Sequence, residues 1–419
     1  MNWSLFCNLA TIALRASTLG AKFLLVIFLV TYFQPEELGM YGVLTAVIAY
    51  ALFFLGLEFY NFTSRALVGV TPTEQIIIIR DQFILYFLTF IVLSPFFYLF
   101  FYTDIFPYTL WLWFFVITLV EHASNELMRI FIALARPHFA NIIFFIRQGL
   151  WICVLLPIFY LYPATRYFNL IFIAWLTGAS LSIVIALAAL HKLPWGMIWV
   201  QPVQWRRIVE GLKISRPFMI SAFCALSLLY IERFFVNYYC GIEAVGIYTF
   251  YAGLSITLHT LVNTGVARMR LAQLISAWKE NNSKLFYNES INMLKYTIYF
   301  VIAFSIICVA LIIPFITLLN KPVYLHNIQV FYFLLLGAAC RSVADVPLYT
   351  LYAQHKDRLI LTINLTAFVI IIVGNSILVP HWGLTGAAVS SATASLVLLL
   401  YSLTIMMQRT IRPFLLLQS

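Results

Sequence analysis

Runs of about 20 apolar residues recur from one end of this chain to the other, and each is long enough to cross a lipid bilayer as a helix. Twelve such windows are read: about 6–33, 40–66, 80–102, 109–135, 139–161, 168–190, 214–239, 246–270, 289–319, 328–352, 359–379 and 384–408. Turn and breaker residues separate them, among them Pro35, Pro107, Pro137, Pro163, Pro194, Pro202, Gly241, Pro322 and Pro380. The short alternating segments of a membrane β-barrel are missing. Hydrophobic residues make up 63% of the 419 and charged residues 10%, a balance that no water-soluble core could hide. The expectation is an all-α polytopic membrane protein of about 12 transmembrane helices. Soluble enzymes, nucleic-acid binders and disordered chains are excluded.

The net charge of +10 has to be located before it is interpreted. Of the 25 Lys and Arg, 18 fall on one set of loops, with Arg80 and Arg147 counted there. Only Arg166 and Lys321 fall on the opposite set. By the positive-inside rule both termini are expected in the cytoplasm, in a multi-pass protein of the plasma membrane, the inner membrane of a bacterium. Met1–Leu9 lacks the basic start of a cleavable signal peptide. The six cysteines show no metal spacing and read as packing residues. The longest loops are 191–213 and 271–288. The first carries Trp195, Trp199, Trp205, Arg206 and Arg207, and reads equally as an amphipathic segment on the membrane surface or as a plain linker.

The hairpin after the first helix reads Glu36-x-x-Gly39-x-Tyr41, and the one after the seventh reads Glu243-x-x-Gly246-x-Tyr248. Their offset is half the chain, and six helices per half give both copies the same orientation. This predicts a parallel repeat: residues 1–205, a six-helix bundle with linker, and residues 206–419, a second six-helix bundle, around a central cavity.

Ten ionisable residues fall inside the expected spans, each costing about 2.5–3.5 kcal/mol at a helix centre unless paired or wet. In the first helix Asn8, Thr11, Arg15, Thr18 and Lys22 form one polar stripe; Glu58 of the next helix is the acid best placed to reach it, but one carboxylate cannot neutralise both cations. In the fourth, Thr118, Glu121, His122, Asn125, Glu126 and Arg129 form an arc, with Arg129 able to pair locally with Asn125 or Glu126. Glu58, Asn61 and Arg65 share a face of the second. Tyr248, Tyr251, Ser255, His259 and Asn263 do so in the eighth. Glu232 and Arg233 are adjacent and need different partners; Arg233 is expected to snorkel or to serve a site. Arg341 and Asp345 are spaced i, i+4 before Pro347, the spacing of a local ion pair. His122 and His259 read first as hydrogen-bonded packing residues and second as proton relays. No phosphate loop, HExxH or nucleophilic triad is present, so an enzyme is not expected. The short outer loops also argue against a membrane polymerase or ligase.

Several short motifs resemble the start of polysaccharide-unit flippases, the Wzx-type branch of the multidrug/oligosaccharidyl-lipid/polysaccharide exporter superfamily. These are Pro35-Glu36-Glu37-Leu38-Gly39-Met40-Tyr41-Gly42, Leu55-Gly56-Leu57-Glu58 and Ser64-Arg65. The second half is similar through Ile231-Glu232-Arg233-Phe234, through 241–248, and through Trp382-Gly383-Leu384-Thr385-Gly386-Ala387-Ala388. At Glu232 the family more usually has Asp. The resemblance implies translocation of undecaprenyl-pyrophosphate-linked oligosaccharide for O-antigen, capsule or exopolysaccharide assembly. It implies no cofactor or metal, a proton or sodium gradient as driving force, and a polysaccharide polymerase as a partner in the same pathway. In such a reading Arg15, Lys22 and Arg129 hold the pyrophosphate, and Asn61, Asn125, Tyr248, Tyr251 and His259 line the sugar cavity. Glu58, Glu121, Glu126, Glu232, Arg233, Arg341 and Asp345 serve ion coupling or gating. A multidrug exporter of the same superfamily is the alternative within transport.

Overall fold

The computed structural model describes residues 3–102 and 107–408. The side chain of Asn8, and Arg409 and Arg412 of the expected loop cations, lie outside the described residues. Every regular element among the described residues is helical. In order they are α1 (Trp3–Tyr32), α2 (Pro35–Gly56), α3 (Tyr60–Ala66), α4 (Pro72–Phe101), α5 (Trp111–Ala133), α6 (Pro137–Phe145), α7 (Trp151–Leu161) and α8 (Phe168–Ala189). Then follow α9 (Trp205–Cys240), α10 (Ile242–Val262), α11 (Arg268–Lys279), α12 (Ser283–Leu319), α13 (Pro322–His326), α14 (Ile328–Ala353) and α15 (Asp357–Met406).

Ten of the described helical stretches are long and apolar enough to span a bilayer. Two more crossings complete the expected twelve. One is α5, whose Glu121, Glu126 and Arg129 lower its mean hydropathy. The other is the second half of α15, whose 50 residues at 1.5 Å each extend about 75 Å, twice what a bilayer needs. A break at Gly383, φ 54°, divides α15 where the sequence placed a loop.

Local chemistry moves several boundaries from their expected places. α2 begins at Pro35 because proline fits the first helical position, and Glu36 and Glu37 favour the helix N-terminus. Glu37 accepts the backbone N–H of Gln34 at 3.0 Å. The expected single helix 40–66 is interrupted at Leu57 and Glu58, both at positive φ, and resumes as α3. α4 starts eight residues early because Thr71 and Glu74 form a capping box ahead of Pro72. The expected loop 271–288 is largely helical: a π-turn, Asn263–Ala267, joins α10 to α11. A second π-turn, Ile146–Leu150, joins α6 to α7.

The helices group into two compact units. The first contains 1–28 and 43–219, the second 29–42 and 220–419. In the first, Leu127, Ile130, Phe131, Ile143 and Ala186 form one apolar core, and Phe59, Leu85, Tyr86 and Ile208 form another. Segment 191–204 contains a 3₁₀ turn, Trp195–Ile198, and is tied to α4. Buried Arg80 gathers the carbonyl oxygens of Ile198 (2.8 Å), Gln201 (2.5 Å) and Pro202 (3.0 Å). Its neighbour Asp81 binds that guanidinium at 2.6 Å and accepts the backbone N–H of Gln204 at 3.3 Å. This clamp leaves Trp199 90% exposed at the tip of a fixed strap.

In the second unit, α14 and both halves of α15 pack around Ala344, Leu351, Ala367, Ile371, Ala394 and Leu398. The hairpin segment 29–42 is tied into this unit. Arg233 donates to the Gly42 carbonyl at 2.7 Å, and Lys321 to that of Phe33 at 2.8 Å. Burial lowers the Lys321 ammonium below the usual lysine range, with Glu37 acting against the shift. Arg233 is 5% exposed and lies 5.1 Å from the Tyr230 ring centre; it is a buried tie, not a snorkelling cation.

Candidate functional site

In the first unit the polar stripe of α1 meets a second polar stripe on α6 and the following π-turn. Thr11 Oγ1 lies 3.3 Å from His138 Nδ1, Arg15 Nε donates to Asn141 Oδ1 at 2.8 Å, and the Lys22 ammonium donates to Gln148 Oε1. Thr18 is fully buried between them and returns its hydroxyl to the Leu14 carbonyl at 2.9 Å. The expected partner Glu58 takes neither role. It accepts from Asn61 Nδ2 at 3.0 Å, beside the helix break it helps to form. Amide oxygens therefore help to orient both cations. Lys22 remains exposed.

Behind Gln148 lies Glu121, 1% exposed. It accepts Arg147 NH1 at 3.0 Å, Gln148 Nε2 at 2.8 Å and Trp175 Nε1 at 2.5 Å. Arg147, counted with the loop cations although it falls within the expected span 139–161, is 5% exposed and paired inside the unit. The π-turn explains this: its extra residue turns Arg147 and Gln148 together toward α5. One helical turn along α5, Glu126 is fully buried. It accepts Arg129 NH1 at 2.7 Å, as the local spacing predicted, together with Tyr86 Oη at 2.7 Å and Gln82 Nε2 at 3.0 Å. Arg129 caps the Tyr60 ring at 3.8 Å. Asn125 lies 3.5 Å from Glu126, and Asn61 stays on Glu58. His122 stands edge-on to Tyr86, ring centres 4.6 Å apart, with both ring nitrogens unpartnered. It is a packing residue without the hydrogen bond expected of one.

Gln82, Tyr86, Asn141, Arg147, Gln148 and Trp175 were missed at the level of sequence. The spacing of Gln82 with Tyr86, one turn apart, and of Asn141 with Gln148, two turns apart, carried the signal.

In the second unit a cavity of about 40 Å³, enough for a water or a small ion, is lined by Glu232, Tyr248, His259, Arg341, Ser391 and Ser395. Glu232 is 3% exposed and its Oε2 has no hydrogen-bond partner. The local pair of Arg341 with Asp345 is not formed. Asp345 instead takes His259 Nε2 at 3.0 Å and Asn263 Nδ2 at 2.5 Å, both from across the bundle. Arg341 donates to the Ala225 carbonyl at 2.8 Å. Tyr251 is fully buried among Phe250, Tyr324 and Phe331, and its hydroxyl donates to the Tyr324 carbonyl. Tyr248, 2% exposed, presents an unpartnered hydroxyl at the cavity.

No family model matches the sequence, and no curated protein matches it. Solved structures do match. The lipid II flippase MurJ, in an inward closed conformation, aligns with TM-score 0.76 at 14% identity, covering 98% of this chain and 89% of its own. A multidrug resistance transporter of the MATE family, of the MOP superfamily, in an inward-facing conformation, aligns with TM-score 0.68 at 15% identity, covering 94% of each chain. A MATE in complex with MaL6 aligns with TM-score 0.56 at 12% identity, covering 95% of each. The chain thus has the fold of these membrane transporters and flippases, and at such identities the likeness is one of fold.

Proposed function

We propose that this chain is a flippase that moves undecaprenyl-pyrophosphate-linked oligosaccharide units across a bacterial inner membrane by alternating access, as Wzx-type proteins do in surface polysaccharide assembly. Residues 1–205 and 206–419 are its two six-helix repeats, and both termini lie in the cytoplasm. The observation that carries the reading is the α1 stripe. Arg15 and Lys22 are oriented by the amides of Asn141 and Gln148, so two cations stand on one face of an otherwise apolar helix. A pyrophosphate is the anion such cations suit. Arg129, already engaged with Glu126, is the third candidate. Asn61 and Asn125 offer hydrogen bonds to sugars, while Tyr248 and His259 line the small polar cavity beside Glu232, supported from the core by Tyr251. Glu232, with an unpartnered oxygen in a small polar cavity, is the foremost site for a coupling proton or sodium ion. Glu58, Glu121, Glu126, Arg233, Arg341 and Asp345 form the buried polar framework that such an ion would act upon.

The likeness to MurJ, a lipid II flippase by its description, supports a lipid-linked cargo. The MATE likeness supports the second reading, a multidrug exporter, but a site for cationic drugs calls for acids and the α1 stripe is basic. The test is Arg15→Ala and Lys22→Ala in cells. Both variants are expected to reach the membrane in normal amount and to stop polysaccharide assembly; normal polysaccharide in both defeats the proposal.

A further inference from the structure

A second, larger cavity of about 650 Å³ opens on the flank of the second unit, away from the groups discussed so far. It lies where the π-turn after α10 meets α12. Its walls are Gly265, Val266, Arg270, Gln273, Tyr296 and Tyr299, with Phe300 behind. The π-turn makes the opening: a Cβ on Gly265 would meet nothing within 4 Å. Arg270 gives NH1 to Glu289 at 2.8 Å and lies 4.7 Å from the Tyr296 ring centre, leaving its other donors to the groove. The Gln273 side chain is exposed, and Tyr296 and Tyr299 are 50% and 67% exposed. Beyond them α12 continues with Ile302 and Ile306 exposed at 52% and 64%. This is an outward, apolar face that only lipid chains would cover in a membrane. Lys279, Lys284 and Lys295, all exposed, are carried by the same two helices, α11 and α12.

We propose that this groove binds one anionic phospholipid from the leaflet on the basic side of the protein. Arg270, Gln273 and the Tyr296 and Tyr299 hydroxyls take its phosphodiester, and its acyl chains run along Phe300, Ile302 and Ile306. The polar groups converge at one end of the groove and the apolar ones at the other, which is the order of groups along a lipid. The lysines select negative charge, since basic pockets at this depth attract acidic headgroups. Tyrosines at the interface suit both halves of such a molecule. The site does not depend on the cargo: it faces the bilayer and is built on α11 and α12, not on α1 or α5.

The test is native mass spectrometry of the full-length protein, purified in detergent with equimolar phosphatidylglycerol and phosphatidylethanolamine. The wild type is expected to retain one phosphatidylglycerol selectively. In Arg270→Gln and Tyr299→Ala its occupancy should drop about tenfold, the effect of losing a hydrogen bond to a charged group. Gln273→Ala, at an exposed position, keeps the test valid if Arg270→Gln fails to fold. Equal retention of the two lipids, or unchanged retention in all three variants, overturns the proposal. So does displacement of the bound lipid by equimolar undecaprenyl phosphate, which would assign the groove to the cargo lipid.

Discussion

Gly39 and Gly246 cross so closely that neither has room for a side chain. A Cβ on Gly39 would overlap the Ile242 carbonyl oxygen, and one on Gly246 would overlap that of Pro35. The contact is reciprocal: Pro35 and Ile242, like Gly39 and Gly246, are 207 residues apart and occupy matching places in the two similar sequence segments. The small residues let the helix backbones touch, as they do in membrane helix pairs generally.

Gly39→Ala and Gly246→Ala are each expected to destabilise the protein by about 1–3 kcal/mol, the usual cost of overpacking, with Val costing more. Because both act at one crossing, the double variant should fall short of the sum. Thermal unfolding in detergent measures this. Gly39 and Gly246 variants as stable as the wild type would mean that the crossing is loose.

Removing one partner of a buried ion pair costs more than removing both. Arg147→Met should therefore destabilise by about 3–5 kcal/mol, because Glu121 is left with only Gln148 and Trp175. Adding Glu121→Gln should recover part of that loss. A thermal-shift cycle over the four forms checks it, and strict additivity would show that the two residues do not interact.

Arg80→Ala removes three bonds to backbone carbonyls and the anchor of Asp81. The strap 198–204 should then loosen while the bundle stays folded. The expected readout is proteolytic cleavage near Trp199 at least tenfold faster than in the wild type, since local opening governs such cleavage. Cleavage at the wild-type rate would show that Arg80 is not what holds the strap.

Glu232→Gln preserves the shape of the side chain and removes its charge. The account expects normal folding and a transport rate that no longer responds to an imposed proton or sodium gradient. Gradient-dependent transport at the wild-type level would move the coupling site elsewhere. Asp345, held by His259 and Asn263, would be examined next.

The apolar periodicity made the helical membrane fold legible, while the half-chain offset marked Gly39 and Gly246 as matching positions without showing that they touch. What sequence could not supply was partners from other helices. Arg341 and Asp345 had the right spacing for a pair, yet His259 of α10 and Asn263 of the π-turn after it reach Asp345 instead. Glu58 looked like the natural acid for Lys22, but the positive-φ break at Leu57 and Glu58 carries it to Asn61. Arg147 looked like a loop cation although it sits inside the expected span 139–161; its pairing with Glu121 required the fold. The α1 stripe was visible as a stripe; that its cations are aimed by two amides required the fold.

The central claim is tested most directly by reconstituting the protein in vesicles and following a lipid-linked oligosaccharide from one leaflet to the other. The wild type should accelerate its translocation without lengthening the sugar chain, and folded Lys22→Ala should lose at least about tenfold of that rate, the scale of one charge-assisted contact to an anion. Translocation by Lys22→Ala and Arg15→Ala at the wild-type rate, or no translocation by the wild type, would contradict the account.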